Sequence, residues 1–141
     1  MSVKDVADRC NVIEECYEFL LAYAAQGVSG EGPGARSSGV RDFLQRAADA
    51  LSGLGNAYSS AIKAEGLEPA SAYEAFCTVL DRDARDSLAA VNLVLAQPAI
   101  SSQLVDNLNA SIHLRALLTD LFLIDEILKA RRSAKLIVTE R

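Results

Sequence analysis

Residues 112–128 read Ile-His-Leu-Arg-Ala-Leu-Leu-Thr-Asp-Leu-Phe-Leu-Ile-Asp-Glu-Ile-Leu. Leu114, Leu117, Leu121, Ile124 and Leu128 recur at steps of three and four, so they share one face of a helix. Leu104, Leu108, Ile112, Leu118 and Phe122 add a second apolar stripe to the same segment. A helix apolar on two sides either lies at the centre of a bundle or has a partner outside it. This segment is expected to start near Pro98 and to run to about Arg132. A length of 35 residues makes one internal break reasonable.

The same alternation recurs upstream. Val6, Cys10, Ile13, Tyr17, Leu20 and Ala24 predict a first helix from about Val3 to Gln26, with Ser2 and Asp5 as a variant capping box. Val40, Leu44, Ala47, Leu51, Leu54, Tyr58 and Ala61 predict a second from about Gly39 to Ala64, with Ser38 as N-cap. Gly53 and Gly55 fall inside it, and each costs about 1 kcal/mol relative to Ala in a helix interior. Such a pair marks close packing or a bend. Tyr73, Phe76, Cys77, Leu80, Ala84, Leu88, Val91 and Leu95 predict a third helix to about Ala96. Ser71 and Glu74 spell a capping box at its start.

The first two helices are joined by residues 27–38, which hold four of the eight Gly and one of the three Pro. Such a stretch is expected to act as a flexible linker. Its twelve residues reach ~40 Å if extended, enough for either a turn or a full crossover. The expected fold class is therefore all-α: an antiparallel four-helix bundle over residues 1–132, up-down-up-down. Residues 133–141 are expected to form a C-terminal tail.

Half of the 141 residues are apolar and 6% are aromatic, with no Trp. One domain of this length hides roughly 70% of its unfolded surface. The net charge of −5 argues against nucleic acid and anionic membranes as partners, because phosphate contacts need Lys and Arg. No apolar run approaches the ~18–20 residues of a membrane span. The three Cys, at 10, 16 and 77, do not form a disulfide framework and fit reduced thiols in a cytoplasmic protein.

Few residues suggest chemistry. The single histidine lies in Ser111-Ile112-His113-Leu114-Arg115. This segment resembles the phosphorylated helix of histidine phosphotransfer domains, whose usual order is His, any residue, an aliphatic residue, Lys, Gly. Here the basic residue, Arg115, comes one position early and the Gly is missing. The resemblance implies phosphotransfer through His113. One His cannot complete a closed zinc site without Cys from distant helices, and a di-iron carboxylate site needs more His than this chain has. Glu14, Glu15 and Glu18 read as a solvated face. Lys129, Arg131, Arg132 and Lys135 read as cations placed near a helix C-terminus. Gly30-Glu31-Gly32-Pro33-Gly34 lacks the Lys-Ser/Thr of a phosphate-binding loop.

No cofactor, metal or catalytic residue is expected. The leading expectation is a regulatory interaction module, non-enzymatic, that forms a homodimer or binds a protein partner. Its interface candidates are Leu118, Phe122 and Leu123, on the surplus apolar surface of the fourth helix. The alternative is a small-ligand-binding bundle in which Tyr17, Tyr58 and Tyr73 offer polar tips to the ligand.

Overall fold

The computed structural model describes residues 3–29 and 39–139. Among the described residues there are six α-helices and no strand. They are α1 (Val3–Ala25), α2 (Val40–Leu51), α3 (Leu54–Glu65), α4 (Ala70–Leu95), α5 (Ser102–Ala110) and α6 (Ile112–Thr139). Both all-α character and the placement of the apolar stripes follow the expectation. Ser2, Ser38, the Gly30–Gly34 run and most of the linker lie outside the described residues.

Two expected helices are interrupted. The second breaks at Ser52–Gly53, where Gly53 takes a left-handed φ of 73° and becomes the N-cap of α3. That conformation is costly for any residue with a Cβ. Gly55, two residues on, has the other role. A Cβ placed there would sit 2.7 Å from the Cα of Asp81, so the missing side chain lets α3 approach α4. The Gly pair thus supplies both the bend and the close packing. The fourth segment breaks at Ser111, and its helical part begins at Ser102 rather than at Pro98. Ser101 is the N-cap of α5 and its Oγ accepts from the Leu104 N–H at 3.0 Å.

Two further boundaries differ from expectation. Helix α4 starts at Ala70, one residue before Ser71, so Ser71 does not cap it. Glu68 accepts the Ala70 N–H instead, at 3.2 Å. The C-terminal tail is also helical as far as Thr139, because α6 continues without a break past Arg132.

Helix α1 packs on α2, α3 and α5, while α4 packs on α2, α3, α5 and α6. Cross-contacts give the directions. Phe19 stacks on Phe43 with ring centroids 4.0 Å apart, and Arg9 reaches the Ser52 carbonyl at 2.6 Å, so α1 and α2 run oppositely. Tyr73 lies under Arg131, and Asp86 lies 3.9 Å from His113, so α4 and α6 run oppositely too. Arginines satisfy carbonyls left over at helix ends. Arg9 does so for α2 through Ala50 and Ser52. Arg41 does so at the end of α4 through Leu95 and Gln97.

The core holds fully buried Tyr23, Leu44, Leu54, Leu80, Leu117 and Leu121. The last turns of α1 are tied to α5 by polar contacts. Tyr23 donates to the Ile100 carbonyl at 2.5 Å, Ser102 Oγ donates to the Tyr23 carbonyl at 2.6 Å, and Asn109 donates to the Leu20 carbonyl at 3.1 Å. Each closes a buried polar group that would otherwise cost about 1–3 kcal/mol.

Candidate functional site

Two concavities flank α6, one on either side. The first is a cleft of about 220 Å³ between α1 and α6. Cys10 and Asp125 line its inner part, while Asn11, Glu14, Lys129 and Arg132 reach it from the same two helices. Behind it stands the fully buried Tyr58, delivered by α3. The Tyr58 hydroxyl donates to Asp125 Oδ1 at 2.8 Å and lies 2.6 Å from Cys10 Sγ. An ionised carboxylate only accepts, and a phenol has one proton. The Tyr58 proton is therefore committed to Asp125, and the Cys10 thiol donates to the phenol oxygen.

This chain of hydrogen bonds holds its protons firmly. Burial pushes the Cys10 thiol up to about 12; Tyr58 draws it back partly, and Asp125 adds to the rise. Burial, followed by the charge of the neighbouring Cys10, raises the Tyr58 phenol as well. A thiol that stays protonated at neutral pH is a poor nucleophile. Cys16 and Cys77 are also raised by burial, opposed by Arg46 and Lys63 respectively. All three cysteines are free and buried.

The second concavity is an apolar groove of about 280 Å³ between α4 and α6. Pro69, Tyr73 and Phe76 line it from the start of α4, with Leu123, Ile124 and Ile127 opposite. Leu123 and Ile127 are 52% and 37% exposed. Phe122, on the same turn as Leu123, protrudes at 59% exposure, and exposed Val79 extends the α4 side one turn beyond Phe76.

The residues singled out from the sequence are dispersed. Leu123 lines the groove; Phe122 is exposed but lies outside its lining, about 100° further round the helix, and Leu118 is only 5% exposed and belongs to the core. It packs inside this chain, so the second stripe of the segment divides between interior and surface. Tyr73 lines the groove, Tyr58 backs the cleft, and Tyr17 is half-buried in neither. His113 and Arg115 are exposed. His113 Nδ1 lies 3.9 Å from an Asp86 oxygen.

The basic end of α6 is divided between the two sides. Arg131 donates to the Glu68 carbonyl at 2.8 Å and lies over the Tyr73 ring, whereas Lys129 and Arg132 face the cleft. Asp125, Asn11 and Glu14 were not singled out as a group by sequence reasoning. Asp125 and Lys129 are four apart on one helix, but nothing in the sequence says that Cys10 and Glu14 face them.

Asp120 on α6 is influenced by Asp83 on α4. Burial raises the Asp120 carboxyl to about 7, reinforced by a hydrogen bond and then by the charge of Asp83. Among the described residues, no group of three or more His, Cys, Asp or Glu is arranged to hold a metal, and no helix is long and apolar enough to cross a membrane.

Comparison with protein-family models, with curated proteins and with solved structures found no match to this chain.

Proposed function

We propose that this protein is a non-enzymatic interaction module that pairs with a second copy of itself through the α4–α6 groove. The architecture we assign to it is an up-down-up-down bundle of four columns, the second and fourth each broken once. The opposed directions of α1 with α2 and of α4 with α6 favour that topology.

The observation that carries the functional reading is the patch itself. An apolar hollow lined by Tyr73 and Phe76 stands open on this surface, with exposed Leu123 and Ile127 protruding beside it. A twofold dimer needs a self-complementary patch, and a knob next to a hole meets that need. Burial of aromatic surface in such a hollow is a typical anchor for association. Light scattering at high micromolar concentration should give the mass of a dimer for the wild type and of a monomer for Leu123→Glu. A monomeric wild type would remove the reading.

A second reading, a small-ligand-binding bundle, is favoured by the charged cleft between α1 and α6. Phosphotransfer through His113 is supported less. The exposed ring suits it, but the Asp86 carboxylate beside the ring would repel a phosphoryl group.

A further inference from the structure

The α1–α6 cleft is charged at both ends, with opposite signs. Glu14 on α1 and Asp125 on α6 lie at one end. Lys129 and Arg132 follow Asp125 by four and seven residues, ~6 and ~10 Å further along the helix axis, and line the same space. Among the described residues, neither Glu14 nor Lys129 nor Arg132 forms an ion pair. The carboxylates and the cations face one cavity and do not meet across it.

The anionic end is also fixed in place. Tyr58 holds Asp125 Oδ1 at 2.8 Å, and the Cys10 thiol steadies the phenol from behind. A carboxylate locked by a buried donor is preorganised for a cation. The long side chains of Lys129 and Arg132 are exposed and free to close on an anion.

The geometry points to this cleft as a binding site for a small zwitterion of the amino-acid class, with its ammonium between Glu14 and Asp125 and its carboxylate toward Lys129 and Arg132. This rests on the ligand-binding reading given above and deepens it. Size agrees with the charges, since 220 Å³ admits an amino acid and little more. The remaining lining residues, Val6, Ala7 and Leu128, offer a short apolar wall to a side chain.

The test is titration of the intact protein with each of the twenty standard amino acids, followed by amide NMR shifts. Propylamine and propionate serve as probes that carry one charge each. At least one amino acid should shift the amides of Cys10, Asn11 and Lys129, and both single-charge probes should bind at least about tenfold more weakly. Lys129→Gln combined with Arg132→Gln, both exposed, should weaken binding about tenfold without changing the melting temperature. Asp125→Asn should weaken it as well. If propylamine or propionate binds as tightly as any amino acid, the zwitterion inference falls and the ligand-binding reading stands. If no probe shifts these amides at millimolar concentration, both fall.

Discussion

The two sides of α6 differ in what they leave open. Toward α1, the helix presents Asp125, Lys129 and Arg132 to a cleft whose polar groups are already ordered by Tyr58 and Cys10. Toward α4, it presents Leu123 and Ile127 to a groove with almost no polar lining. The same helix thus has a charged side and an apolar side. Directional contacts define the first, and they are lost when a single atom is removed. Area defines the second, and it fails only when the apolar contact is replaced by charge.

This contrast can be broken most severely from the middle. Leu121 is fully buried on the stripe that supports both sides. Leu121→Ala should cost about 2–5 kcal/mol in denaturant unfolding. It should also loosen cleft and groove together. A loss under about 1 kcal/mol would mean that the core collapses around the gap, and that the two sides are less tightly joined through α6 than their packing implies.

Tyr58→Phe isolates the cleft. It removes one hydroxyl, and with it the donor to Asp125 and the acceptor for Cys10. The expected loss is about 1–3 kcal/mol, the cost of buried polar groups left unpaired. Dimerisation should be unchanged. If Tyr58→Phe is neutral in stability, the hydrogen-bonded chain is not what orders the cleft.

The smallest effect tests the apolar side, where Asp120 and Asp83 form a polar exception. The folded-state Asp120 carboxyl, at about 7, lies above its ordinary value of 3.8. Between those two pH values the folded chain holds a proton that the unfolded chain has released. The contribution of this group is therefore full below about pH 4, falls as pH rises toward 7, and levels off above that. Asp120 is partly open to solvent, which reduces the size of the effect to less than about 1 kcal/mol. Melting temperatures of wild type and Asp120→Asn should show the variant gaining on the wild type between pH 5 and pH 8. A constant difference across that range would show that Asp83 and Asp120 do not share a proton.

Much of the fold was legible before the structure. The 4-3 spacing of Val6 through Ala24 and of Leu114 through Leu128 placed the buried faces, because a side chain's position on a helix follows from its number. Gly53 and Gly55 announced an irregularity, though not which of them bends the chain and which admits α4. The Ser71–Glu74 pair misled, since a capping box is only one way to satisfy the first N–H groups; the helix starts one residue before Ser71, and Glu68 takes the Ala70 N–H. Of the candidate site residues, Phe122 and Leu123 were legible as apolar surplus. Leu118 was not separable from them, since 118 and 122 share a helix face and only a neighbouring helix determines which of the two is covered.

The sequence by itself determined the helical periodicity, the apolar stripes and the charge of the chain. These are local properties, set by residue type and by spacing along one helix. Only the tertiary structure decided how α6 divides its neighbours. It sends Arg131 to Tyr73 and Glu68, and Lys129 and Arg132 to the cleft. It also brings Cys10, Tyr58 and Asp125 together from three helices. The reason is geometric. A helix's own pattern says which residues share a face, but what that face meets depends on how the other helices pack around it.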